Sequence, residues 1–236
     1  MSGIVFIVSA PSGSGKSTLT SEMMRIIQGL EFSVSYTTRK PRGSERNGVE
    51  YCFVSRQDFE KMIDQDAFLE YANVFGDYYG TARRFVDDAK SRGNDLLLDI
   101  DVQGAAQVKK RLPEAVSIFI LPPSREVLEH RLRRRSEAEK MVDESVIIRR
   151  LNAAGREIEN YSTYDYILVN DQLDQSIDQL KAIILAERLK CKGCNSASQD
   201  EKKVIETADC CRLENVRERV QQILATFSQR EQAHSR

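Results

Sequence analysis

The chain has 236 residues, with 35 Lys+Arg against 36 Asp+Glu, a formal net charge of −1 at pH 7, and 41% hydrophobic and 30% charged residues. That balance supplies a core and rules out a disordered composition. It argues against general electrostatic binding of nucleic acid, and no apolar run reaches the length of a membrane span. Five cysteines, an odd number with no export-like leader before them, point to a reducing cytoplasm and mostly free thiols.

Ile4 to Val8 is a continuous apolar run, as expected of a strand buried on both faces of a parallel sheet. Pro11, Gly13 and Gly15 then bend the chain. After them Leu19, Met23, Ile26 and Ile27 recur at helical spacing. Strand, glycine turn, Gly-Lys-Ser and helix is the context a phosphate-binding loop requires. Over Ala10, Pro11, Ser12, Gly13, Ser14, Gly15, Lys16, Ser17 and Thr18, backbone N–H groups would crowd phosphate oxygens at a helix N-terminus. Lys16 would reach the β- and γ-phosphates, and the Ser17 hydroxyl would ligate Mg²⁺. Ala10 stands where the motif has its first glycine, which requires φ there to be negative or only mildly strained. A turn that binds nothing is the bland alternative, and the flanking strand and helix argue against it.

Leu30 to Tyr36 alternates and reads as one strand, followed by the basic turn Thr37-Thr38-Arg39-Lys40-Pro41-Arg42-Gly43. Gly48 to Val54 reads as a short strand. Ser55, with Asp58 three residues on, predicts an N-cap for a helix carrying Phe59, Met62 and Ile63. Phe68–Ala72 and Asp77–Thr81 suggest a small sheet, so residues 35–82 form a β-rich insertion. A helix from Ala82 to Arg92 ends at Gly93. Leu96 to Asp101 is a second buried strand, with Asp99 and Asp101 on one face at its end, where ligands sit in open parallel sheets. A helix opening at Gly104 leads to a third strand, Val116–Leu121. The helix after Ser124 becomes very basic, with Arg131 and Arg135 four apart on one face. A polar stretch from Ser136 to Ser145, a helix from Val146 to Tyr161, a strand at Tyr166–Asn170 and a helix at Ile177–Leu189 follow. The predicted fold is α/β: a doubly wound parallel sheet with two excursions.

The blocks SAPSGSGKSTL, FSVSYTTRKPR, NGVEYCFV, FLEYANVFGDYYGT, LLLDIDVQGA, FILPPS and YDYILVND together resemble guanylate kinase, in order and with compatible spacing. The resemblance implies a P-loop NTPase-type domain over 1–190. Its core would be 1–34, 83–124 and 151–190, its GMP-binding subdomain 35–82 and its helical lid 125–150. It implies transfer of the γ-phosphoryl of ATP to GMP, with dGMP as a second acceptor, Mg²⁺ as cofactor and no nucleic-acid or membrane partner. Arg39, Arg42, Tyr51 and Tyr79 would clamp the acceptor phosphate. Glu70 would take the two donors of guanine, with Ser35 and Thr81 serving O6. Asp99 and Asp101 would hold the guanine edge, an acceptor-clamping arginine and metal-bound water. Arg131, Arg135 and Arg150 would come from the lid onto the transferring group, alignment on Leu151 favouring Arg150 over Arg149. Asn170 would lie near the donor nucleotide. Forked guanidiniums suit this work because two polyanions must be brought into line. The presence of Lys16, Ser17 and both arginine groups favours an enzyme over a binding module that has lost catalysis.

Residues 191–236 fall outside the resemblance. Cys191-Lys192-Gly193-Cys194 looks like half a zinc knuckle, but the adjacent Cys210 and Cys211 chelate one metal poorly, so free thiols are the favoured expectation and structural zinc the alternative. Leu213, Val216, Val220, Ile223 and Phe227 recur at spacings of three and four. They predict an amphipathic helix that packs on the core or pairs with a second subunit to form a homodimer.

Overall fold

The computed structural model describes residues 3–74, 76–138, 143–193 and 198–228. The elements run β1 (Val5–Ser9), α1 (Lys16–Ile26), β2 (Leu30–Phe32), β3 (Tyr36–Thr37), β4 (Cys52–Phe53), α2 (Arg56–Asp64), β5 (Phe68–Val74), β6 (Asp77–Ala82) and α3 (Arg84–Arg92). They continue with β7 (Asp95–Asp99), α4 (Val102–Arg111), β8 (Val116–Leu121), α5 (Arg125–Ala138), α6 (Glu144–Ile158), a 3₁₀ turn (Glu159–Thr163), β9 (Tyr166–Val169), α7 (Leu173–Lys192), α8 (Gln199–Asp209) and α9 (Leu213–Ser228). Two compact units result, Met1–Val8 with Ile27–Val116, and Ser9–Ile26 with Ser117–Arg236.

In the first unit β7 lies between β1 and β2, parallel to both, with Val5 opposite Leu96 and Leu30 opposite Asp95. Buried along nearly their whole length, β1 and the Leu96–Leu98 part of β7 read as unbroken apolar runs, whereas the edge strand β2 leaves Phe32 exposed. The second sheet has the order β4-β3-β6-β5, with β5 and β6 an antiparallel hairpin. Its core is Tyr36, Phe59, Phe68 and Ala82. Phe59 stacks on Phe68 at 4.3 Å and on Tyr78 at 5.1 Å between centroids, each pair adding about 1 kcal/mol beyond its buried area. Gly80 is required by this packing, since a Cβ there would lie 2.9 Å from Phe68 Cδ1 and 3.0 Å from Phe59 Cζ. The N-cap of α2 forms as expected, Ser55 accepting the Asp58 N–H.

In the second unit β8 and β9 run parallel, Ile118 opposite Tyr166 and Leu121 opposite Val169. Helix α5 meets α6 through Leu128, Leu132, Ile147, Leu151 and Ala154, with Phe227 of α9 packed on the same cluster. Helix α7 packs against α1 and α8.

Several expectations need correction. The single strand expected over residues 30–36 is two: β2 pairs with β7, Ser33 N–H donates to Leu97 C=O, and the chain then crosses to the other sheet as β3. Alternation could not reveal that the two halves pair in different sheets. The strand expected over 48–54 shrinks to Cys52–Phe53, because Gly48 adopts φ 80 and Val49 and Glu50 N–H donate to Arg46 C=O in a turn. The second buried strand stops at Asp99; Asp101 lies outside it as the N-cap of α4, its Oδ1 accepting the Gly104 N–H at 2.8 Å. Helix α3 starts at Arg84 rather than Ala82, because Ala82 still belongs to β6. Helix α8 was not anticipated. Part of the polar stretch and Cys194 lie outside the described residues.

Candidate active site

The second unit carries the phosphate loop. It bends at Gly13 and Gly15, both at φ 91, and Ser14 N–H donates to Pro11 C=O at 3.1 Å. Among the described residues Asp66 is the only non-glycine with positive φ, so Ala10 meets the condition its substitution for glycine imposes. Neither loop glycine tolerates a side chain. A Cβ on Gly15 would meet Asn170 Nδ2 at 2.3 Å, and one on Gly13 would meet Leu128 Cδ1 and Leu132 Cδ2 at 3.0 Å. The reason for the first contact is that Asn170 Nδ2 donates to Ser14 C=O at 2.7 Å, which ties the end of β9 to the loop. The hydroxyls of Ser9 and Ser14 are buried without a hydrogen-bond partner. Lys16 and Ser17 open α1, with the Ser17 side chain exposed.

Arg131 of α5 reaches the same loop. Its Nη2 donates to Asn170 C=O at 2.9 Å and its Nη1 to Ser14 C=O at 3.5 Å. Burial pulls its pKa down and the charge of Asp171 opposes that; a guanidinium remains cationic throughout. Arg135 is exposed one turn further along α5, and Arg150 is half-buried on α6. Asp143 is held low chiefly by its hydrogen bonds from Ser145, with the charge of Arg149 adding a smaller pull, whereas among the described residues Arg150 has no ion pair.

The first unit brings together two groups. In one, the Arg39 guanidinium forms a bidentate pair with Glu45, Nη1 to Oε2 at 2.9 Å and Nη2 to Oε1 at 3.0 Å. Nη1 also donates to Lys40 C=O at 2.8 Å, and the Arg42 backbone N–H donates to Glu45 Oε2 at 2.8 Å. The Glu45 hydrogen bond holds the arginine charge firmly, ahead of the opposing effect of burial and the support of Tyr79. Arg39 Nε is buried and has no hydrogen-bond partner. Tyr51 lies under the guanidinium, with Arg39 Cζ 5.3 Å from its ring centre, and edge-on to Tyr79 at 5.9 Å. Burial first, then Tyr79 and Asp99, push the Tyr51 phenol up, so it keeps its proton and can donate. Glu45 was missed in the sequence; its signal was a lone carboxylate three residues after Arg42 in a turn.

The other group centres on Glu70. The β5–β6 hairpin shifts register between Phe68 and Glu70, and Glu70 then faces Thr81 directly. Such a bulge re-aims a side chain. Tyr79 and Thr81, two apart on β6, share a face. Glu70 is 5% exposed, and among the described residues it has no cationic partner. Burial pushes its carboxyl up to about 7, with the Asp101 charge adding to the rise and Thr81 opposing it. Thr81 sits close enough for that effect, yet its buried hydroxyl makes no hydrogen bond of acceptable length and angle. Behind the carboxylate is Gly104, where a Cβ would lie 2.7 Å from Glu70 Oε2. Ser35 contributes its C=O to Cys52 N–H, and Arg42 keeps its side chain exposed.

No helix among the described residues is long and apolar enough to cross a membrane. Cys52, Cys191, Cys210 and Cys211 are free, and the described residues hold no cluster of His, Cys, Asp and Glu suited to a metal.

Residues 3–187 match the family model described as guanylate kinase. The chain is 57% identical over 227 residues to a guanylate kinase of Koribacter versatilis, spanning 96% of this chain and 97% of that one. It is 52% identical over 188 residues to a guanylate kinase of Neisseria gonorrhoeae, spanning 80% and 90%. The crystal structure of guanylate kinase from Anaplasma phagocytophilum superimposes with a TM-score of 0.64 at 33% identity, covering 79% of this chain and 86% of that chain.

Proposed function

The chain belongs to the guanylate kinase family, whose members phosphorylate GMP to GDP with ATP, and on that premise we propose how its own residues divide the work. The observation that carries the reading is Glu70: a buried carboxylate with no cation beside it, opposite an unpartnered Thr81 hydroxyl. Guanine offers N1–H and N2–H₂ as donors and O6 as an acceptor. Glu70 takes the donors, and Thr81 with Ser35 serves O6. Adenine would set a lone pair against Glu70, a mismatch that hydrogen-bonding sites reject by orders of magnitude. Asp101, as the cap of α4, lies near Glu70 and its charge favours the protonated acid in the free protein, a proton that guanine binding must displace, and Asp99 holds the acceptor end beside Tyr51.

The acceptor phosphate binds against Arg39, whose guanidinium Glu45 holds in place through Nη1 and Nη2. Arg42, Tyr51 and Tyr79 complete the clamp. On the donor side the loop from Ala10 to Thr18 wraps the ATP phosphates and Lys16 neutralises the β- and γ-oxygens. Arg131, Arg135 and Arg150 stabilise the transferring group, and Asn170 holds the loop in shape. Mg²⁺ fits at Ser17 and would neutralise phosphate charge there. The acceptor phosphate is already anionic near neutral pH, so positioning and charge compensation suffice and no strong base is required.

In this reading residues 35–82 are the GMP-binding part, 125–150 the lid and 191–236 an appended segment. The free cysteines support action in a reducing cytoplasm. A homodimer through α9 would need a face other than that of Val220 and Ile223, which are buried within the chain; light scattering measures its mass. An ADP-release assay with GMP, dGMP, AMP and UMP tests the function. Turnover with GMP and dGMP is expected; no turnover with any, or preference for AMP or UMP, would overturn it.

A further inference from the structure

The segment beyond residue 187 lies outside the family match, yet it is built into the second unit at three points. At the turn before α9 the Ile167 N–H donates to Cys211 C=O at 2.8 Å. There Arg212 also stacks on the Tyr166 ring at 4.1 Å and pairs with Glu187 at 3.0 Å. In the middle Val220 and Ile223 are buried, and Arg219 stands 3.7 Å from Asp171, next to the loop-tying Asn170. At its end α9 meets the lid.

The lid contact is specific in two ways. The first amides of a helix have no partner within it. Ser124 Oγ satisfies Val127 N–H at 3.2 Å, but Arg125 N–H is taken by Thr226 Oγ1 at 3.0 Å. The Thr226 hydroxyl hydrogen goes to Ile223 C=O, so a lone pair of Oγ1 is fixed toward α5. Phe227 packs on the seam of α5 and α6, against the cluster containing Leu128 and Leu132. Those two leucines also bear on the phosphate loop at Gly13, and Arg131 between them bonds the loop directly. Helix α5 is thus held between α9 and the phosphate loop.

We propose that Thr226 and Phe227 are positioning residues for phosphoryl transfer: α9 caps and backs α5, so that the lid arginines are held over the phosphate loop. This rests on the kinase reading above.

The test uses full-length protein carrying Thr226→Val, Thr226→Ser, Phe227→Ala or Phe227→Leu. Loss of a cap acceptor corresponds to about fivefold in local stability, so Thr226→Val should speed hydrogen exchange of the first-turn amides of α5 by about fivefold. Phe227→Ala should lower kcat roughly tenfold or more, as remote misplacement of catalytic groups does, while KM for GMP stays within twofold. Thr226→Ser and Phe227→Leu should restore most of each effect. Exchange changes confined to α9, or kcat within twofold of wild type in both Thr226→Val and Phe227→Ala, would overturn the proposal, as would a uniform rise in exchange across the protein. Wild-type protein inert toward GMP would sink the kinase reading instead, and the exchange of α5 would still report on the contact.

Discussion

Protonation of Glu70 gives a quantitative handle on guanine recognition. Burial raises its carboxyl to about 7, so near neutral pH the free protein holds it partly as the acid. Guanine N1–H and N2–H₂ demand the carboxylate, and binding must therefore expel the proton. At pH 6.5 a group titrating at about 7 is roughly three-quarters protonated, so GMP binding should release about 0.7 proton from this site. Titration calorimetry in two buffers of different ionisation enthalpy measures that number. The GMP phosphate contributes its own protons, and Glu70→Gln isolates the difference because it cannot ionise. The same shift has a stability consequence. The native state binds the extra proton between the ordinary value of 4.5 and about 7, so stability is full below that window and falls as pH rises through it. The fall amounts to about 3 kcal/mol, and Glu70→Gln should flatten it. Equal proton release by wild type and Glu70→Gln at pH 6.5 would refute the reasoning.

Lys16→Met should lower kcat more than tenfold in the ADP-release assay, because nothing else in the loop supplies a cation to the β- and γ-oxygens; retention of a tenth of the wild-type rate would remove that role. Glu45→Gln weakens the bidentate grip on Arg39 and should raise KM for GMP by roughly tenfold with little change in KM for ATP, measured by initial rates. Gly104→Ala pushes a methyl to 2.7 Å from Glu70 Oε2. It should raise KM for GMP without lowering the melting temperature by more than about 5 °C; an unchanged KM would show that the carboxylate has room to move.

The strands β1, β7, β8 and β9 were legible because burial on both faces leaves unbroken apolar runs, and the phosphate loop because glycine, lysine and serine fall between a strand and a helix. The division of Leu30–Tyr36 was not legible, since alternation reports which face a side chain takes and not which sheet its backbone joins. Asp99 and Asp101 look equivalent in sequence, yet one ends a strand and the other caps a helix. Helix α8 could have been found from Ser198 and Glu201, a reciprocal capping pair three apart. Glu45 carried only the weak signal of a carboxylate in a basic turn, because its meaning lies in the arginine edge it covers. The amphipathic spacing in α9 was visible, but its docking on the lid is a tertiary fact.

The most direct measurement is the ratio of kcat/KM for GMP to that for AMP, in wild type and in Glu70→Gln. A guanine-reading carboxylate predicts a wild-type ratio above about a thousand that collapses by at least tenfold in the variant. A ratio that Glu70→Gln leaves unchanged would contradict the account.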